Sequence, residues 1–99
     1  MADCCHAQKH TVRTQEEKKA LIHRLNRIEG QIRGIRKMIE EDAYCNDILI
    51  QSAAANSALN SFSKQLLSAH IHSCVARDIR AGKDEVIEEL IDTMGRMMK

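Results

Sequence analysis

"LIHRLNRIEGQIRGIRKMI", residues 21–39, decides the fold. Within it Leu21, Leu25, Ile28, Ile32, Ile35 and Ile39 recur at spacings of 4, 3, 4, 3 and 4. That rhythm aligns six aliphatic side chains on one stripe of a long amphipathic helix, whereas a strand would alternate every second residue. Upstream, Thr14 followed three residues later by Glu17 reads as a capping box that starts the helix. Downstream, "EEDAY" (residues 40–44) breaks the pattern. A second helix is expected from about Cys45 to Arg80, its seam carried by Ile48, Ala55, Leu59, Phe62 and Leu66. The run "SAAANSALNS" supplies small side chains for close helix approach. "AGKD" (residues 81–84) reads as a stop and restart, with Gly82 suited to a left-handed C-cap and Asp84 to an N-cap. A third, shorter helix follows, with Val86, Ile87, Leu90, Ile91 and Met94 expected to face inward. The reading is all-α: three helices, two long and one short, without internal repeats. Residues 1–13 are polar and aperiodic, a flexible tail ahead of one helical domain over residues 14–99.

Composition agrees. Of 99 residues 43% are hydrophobic, yet Tyr44 and Phe62 are the only aromatics, so the core must be aliphatic. Proline is absent and glycine occurs four times, which favours long uninterrupted helices. No apolar run approaches the roughly 20 residues that span a bilayer, and "MADCCHAQKH" lacks the apolar stretch of a secretion signal. The expectation is a soluble cytoplasmic protein without a membrane partner, whose four cysteines stay reduced and serve as metal ligands or redox groups.

Net charge is only +1, but it is unevenly spread. Residues 13–37 hold eight Lys or Arg against three Glu, whereas Asp84 to Asp92 holds five acids and no base. The first half therefore suits a polyanion. Arg24, Arg27, Arg33, Arg36 and Lys37, with Lys64 on the second helix, are the candidates for contacting DNA phosphates. A pair such as Glu29 with Arg33 is the ordinary alternative for each. Without an aromatic platform for stacking, single-stranded RNA is disfavoured. No nucleophile–base–orienter set and no phosphate loop point to catalysis.

The chemistry-bearing cluster is "SAHIHSCVARD" (residues 68–78). His70 and Cys74 are four apart, one above the other on a helix face that continues from Leu66. His72 lies roughly 200° round and points elsewhere. A third ligand must come from Cys45, the other cysteine of the helical region, but 25 residues of straight helix put it ~37 Å from His70. Antiparallel pairing of two chains resolves the conflict by setting Cys45 of one beside His70 and Cys74 of the other. The same pairing covers the long apolar seam and makes a four-helix bundle. Two thiolates and one imidazole are soft donors that favour Cu(I), while zinc would prefer a fourth ligand, which water or a neighbouring group could supply. Buried cysteines are also common core residues, so the pattern alone leaves both readings open.

At these residues the sequence resembles a family. "RLNRIEGQIRGIRKMIEEDAYCNDILIQ" followed by "LLSAHIHSCV" is similar to the CsoR/RcnR family of bacterial metal-responsive repressors, over residues 16–93, and most like its copper-sensing branch. The resemblance implies an all-helical homotetramer, a dimer of antiparallel dimers, that binds operator DNA without a helix-turn-helix. It implies trigonal Cu(I), about one per subunit, held by Cys45 of one subunit and His70 and Cys74 of another. Copper would weaken DNA binding and derepress efflux or chaperone genes. It further implies that Tyr44, and Glu89 if one residue is missing from the turn near Gly82, link the ligand histidine to the rest of the protein. Nickel and cobalt sensors use an additional histidine where Arg13 stands here, with His10 nearby. Formaldehyde sensors lack the thiol at Cys74, and persulfide sensors lack the histidine at His70. Cys4, Cys5 and His6 lie outside the family core and are candidates for capturing or passing on copper, with a copper chaperone a candidate partner. Two rival functions are a copper buffer or chaperone with no DNA role, and a redox switch joining Cys45 to Cys74 of a second subunit.

Overall fold

The computed structural model of the protein describes residues 11–98, so Cys4, Cys5, His6, His10 and most of the expected tail lie outside the described residues. Among the described residues the regular structure is entirely helical. Helix α1 spans Gln15–Glu40 and α2 spans Cys45–His70. A π-helical segment, Ile71–Val75, joins α2 to the short α3, Ala76–Arg80, and α4 spans Glu85–Met97. The three expected helical runs are present, the second with a π turn inserted.

The capping box at Thr14 forms in full. Its Oγ1 accepts from the Glu17 N–H at 3.1 Å, and Glu17 Oε1 accepts from the Thr14 N–H at 2.9 Å. Two Schellman turns stop helices. At Gly82 (φ 82°) the Lys83 N–H reaches the Asp78 carbonyl at 2.8 Å, and the Gly82 N–H reaches Ile79 at 3.0 Å. The α1 stop repeats this pattern with Asp42 in the left-handed position (φ 56°), its neighbour Ala43 donating to Met38 at 2.9 Å. Asp84 does stand at the N-cap of α4, but its side chain makes no capping hydrogen bond and its backbone is helical (φ −71°, ψ −14°). With helical rather than extended backbone at Asp84 itself, the carboxylate is not aimed back at the first free N–H groups.

The chain divides into two compact units. In Arg13–Gln65, Ile28 of α1 and Ala55 of α2 are buried. From Leu66 onward, the π segment and α3 pack with α4 and bury Cys74, Val75, Asp78 and Val86.

Much of the expected seam is open. Leu25, Ile32, Ile39 and Leu59 are exposed, and of the α4 residues expected to face inward Ile87, Ile91 and Met94 are exposed too. The spacing that aligned them is present; what covers a stripe is a separate matter, and the residues of this chain leave much of it exposed.

Candidate metal and DNA site

Cys45 is the first residue of α2 and His70 the last. Cys45 is exposed, as is Tyr44 just before it at 71%. The Tyr44 carbonyl accepts from the Asp47 and Ile48 N–H groups, so the turn that presents both residues is itself the start of α2. His70 is half-buried. Cys74 lies inside the π segment with no solvent exposure at all. Ser73 Oγ donates to the Ala69 carbonyl at 2.7 Å and stands 3.7 Å from Cys74 Sγ. His72 is exposed, with Nδ1 2.8 Å from the Ser68 carbonyl, so that nitrogen is committed to its own helix. Glu89 is exposed on α4.

The π turn is what sequence spacing missed. Neither glycine nor proline marks it. Its trace is the pair of side chains, His72 and Ser73, that reach back to carbonyls four residues earlier and compete with the α-helical ladder there. π turns of this kind concentrate at functional sites. This one carries Cys74, four residues past His70. Among the described residues of the single chain no three His, Cys, Asp or Glu side chains gather into a metal-binding group.

The basic residues sort into two sets. Arg33 pairs with Glu29 at 3.7 Å and Lys37 with Glu41 at 4.0 Å, both exposed pairs one turn apart. Such pairs contribute about 0.3–0.5 kcal/mol and exchange readily for a phosphate. Among the described residues no ion pair engages Arg24, Arg27, Arg36 or Lys64. Arg24 and Arg27 line an open groove of about 350 Å³ with Ile28 and Gln31 of α1 and Ala58 and Ser61 of α2. Sequence reasoning did not single out Gln31, although its 3, 4 spacing from Arg24 and Arg27 places it on the same face.

Helical architecture, a half-buried imidazole four residues from a buried thiol, and a basic α1 are the features of a metal-responsive DNA-binding protein. Residues 17–96 match the family model described as metal-sensitive transcriptional repressor, and the chain belongs to that family. It is 43% identical over 88 residues to the copper-sensing transcriptional repressor CsoR of Bacillus subtilis (strain 168), covering 88% of this chain and 87% of that one. It is 48% identical over 67 residues to the copper-sensing transcriptional repressor RicR of Mycobacterium tuberculosis (strain ATCC 25618 / H37Rv), covering 68% and 70%. Among solved structures, the copper-sensing repressor CsoR with Cu(I) from Geobacillus thermodenitrificans NG80-2 superposes with a TM-score of 0.86 at 45% identity, over 89% of this chain and 93% of that one. The nickel-responsive transcriptional regulator InrS gives 0.72 at 36% identity, over 87% and 98%. None of the described helices is long and apolar enough to cross a membrane.

Proposed function

We propose that the protein is a cytoplasmic Cu(I)-sensing transcriptional repressor that holds operator DNA when copper-free and releases it when Cu(I) binds. The observation that carries this reading is the donor arrangement. A buried thiol lies four residues beyond a half-buried imidazole, and the remaining thiol of the helical region opens the same 26-residue helix that His70 closes. An α-helix of that length separates its ends by ~37 Å, so the set is completed by a second subunit. In this reading Cys45 of one subunit joins His70 and Cys74 of another in an antiparallel dimer, giving about one Cu(I) per subunit. Two thiolates and one imidazole suit a soft monovalent ion and discourage hard divalent ones. Relatives named copper-sensing, one of them solved with Cu(I), support the choice of metal. Arg13 stands where a nickel or cobalt sensor would need a histidine.

The apolar residues left open on α1, α2 and α4 support assembly into a dimer and then a tetramer. Tyr44 and Glu89 would orient His70 through its second nitrogen and so report its ligation. Arg24, Arg27 and Arg36, with Lys64 and the loosely paired Arg33 and Lys37, would neutralise phosphates. A tetramer multiplies that charge fourfold, and affinity should fall steeply with salt.

The test is an anaerobic Cu(I) titration of operator-bound protein, reading fluorescence anisotropy and stoichiometry together. Release should be complete near one Cu(I) per subunit. A copper-loaded protein that held its operator as tightly as the copper-free form, at constant salt, would overturn the proposal. Absence of any gel shift by the copper-free protein would favour a copper buffer instead.

A further inference from the structure

Beyond that reading, we propose a second, weaker Cu(I) site formed by the thioethers of Met94 and Met97 on the last turn of α4 and Met98 at its C-cap. The three methionines lie in "DTMGRMMK", at helical spacings of three and four from Met94. The Met98 N–H donates to the Met94 carbonyl at 3.1 Å, so helical geometry extends through all three positions. Relative to Met94, Met97 and Met98 flank it on the same face, whereas Arg96 lies opposite and is drawn off to Asp92 at 3.2 Å. Met98 is 80% exposed, Met94 38%, and Met97 half-buried.

The reach is right for one ion. Met97 and Met98 lie three and four residues from Met94, with Cβ atoms about 5–6 Å from its own. Met97 and Met98, adjacent in sequence, stand about 100° apart round the helix and meet only through their flexible side chains. Three sulfurs around an ion with metal–sulfur bonds near 2.3 Å stand roughly 4 Å apart. Each methionine closes that small difference with its three rotatable bonds, without moving backbone. Thioethers are soft neutral donors that select Cu(I) among common cellular ions. Because they carry no charge to neutralise the ion, the site is weaker than one built from thiolates. Because they bind no proton, it persists on acidification that weakens a cysteine–histidine site.

The competing use of this stripe is packing, since Ile87 and Ile91 continue it and are also exposed. Leucine separates the two uses, because Met and Leu differ little in volume or hydrophobicity while only Met offers a sulfur. Wild type and the Met94→Leu, Met97→Leu, Met98→Leu variant, each preloaded with one Cu(I) per chain, are titrated anaerobically against a weak chromophoric Cu(I) chelator. Sedimentation and the copper-free gel shift run in parallel. The variant is expected to take up one fewer Cu(I) per chain with assembly and DNA binding unchanged. The single Met98→Leu change, at a position too exposed to disturb folding, should weaken uptake at this site at least tenfold. Equal copper uptake by wild type and the triple variant overturns the site. Lost uptake accompanied by lost assembly overturns it as well, assigning the stripe to packing. Neither result touches the tighter cysteine–histidine site, whose own test is release from DNA.

Discussion

Cys45 and Cys74 carry the same side chain into opposite surroundings. Cys45 opens α2 in contact with solvent, whereas Cys74 is wholly enclosed in a π segment that packs against α4. The units holding them differ in the same sense. From Leu66 onward the chain buries Cys74, Val75, Asp78 and Val86 by itself. Arg13–Gln65 buries only Ile28 and Ala55, leaving Ile22, Leu25, Ile32, Ile39, Leu49 and Ile50 open. One half of the proposed copper site is thus built by the chain's own packing. The other is offered on a surface that a second chain would have to cover.

The largest effect separates the two thiols directly. Replacing either by serine is expected to remove tight Cu(I) binding, because each leaves only two soft donors. Stability should part them: Cys74→Ser places a hydroxyl in a fully enclosed position and is expected to cost about 1–3 kcal/mol. Cys45→Ser, in solvent, should change stability by less than about 0.5 kcal/mol. Urea denaturation of the copper-free proteins checks this. Equal destabilisation by the two would erase the proposed contrast.

Apolar truncation sharpens it. Val86→Ala removes two methyl groups from a side chain only 5% exposed, and is expected to cost about 1.5–2.5 kcal/mol from lost transfer energy plus a cavity. That cost should be the same at every protein concentration. Ile91→Ala, at a side chain 59% exposed, should cost little within one chain. If assembly covers it, the loss relative to wild type will instead vary with protein concentration. A concentration-independent loss at Ile91 would remove α4 from the proposed interface.

The parts of the molecule legible in the sequence are those that local chemistry dictates. The 4, 3 spacing of Leu21 to Ile39 specified α1, Thr14 with Glu17 specified its start, and Gly82 specified the stop between α3 and α4. The π turn was not legible, since the residues whose side chains accompany it, His72 and Ser73, are unremarkable until they are seen on carbonyls one turn back. Nor was the left-handed Asp42, because "EEDAY" reads as a break without saying which residue turns it. Asp84 was legible as a position but not as a hydrogen bond. The candidate site was legible as residue types and spacing, through His70 and Cys74. Its proposed completion by Cys45 from another chain rests on the 26-residue length of α2, which holds Cys45 and His70 at opposite ends.

Helix starts give the next effect in size. Thr14→Ala removes the side-chain acceptor of the capping box and is expected to cost about 1 kcal/mol. Part of that cost should be recovered by Thr14→Ser, which keeps the acceptor. Thermal unfolding monitored by circular dichroism measures both.

The last pair of effects, no larger than that of the cap, has opposite signs at the two helix stops. Gly82 and Asp42 occupy the same place in the same turn, with φ of 82° and 56°. Gly82→Ala introduces a Cβ that meets nothing within 4 Å, so its penalty is conformational rather than steric crowding by neighbours. It is expected to destabilise by about 1 kcal/mol. Asp42→Gly relieves a left-handed strain of about 1–2 kcal/mol, lessened by the tolerance of Asp for this region and by the greater freedom of glycine in the unfolded chain. The change also removes an acid from the negative end of the α1 dipole, which adds a few tenths of a kcal/mol in the same direction. A net stabilisation of about 0.5 kcal/mol is therefore expected. Asp42→Asn isolates the charge, since asparagine keeps the shape and the tolerance for positive φ. If Asp42→Gly destabilised the protein, the carboxylate would be holding the turn through a contact of its own, and the two stops would be alike only in backbone.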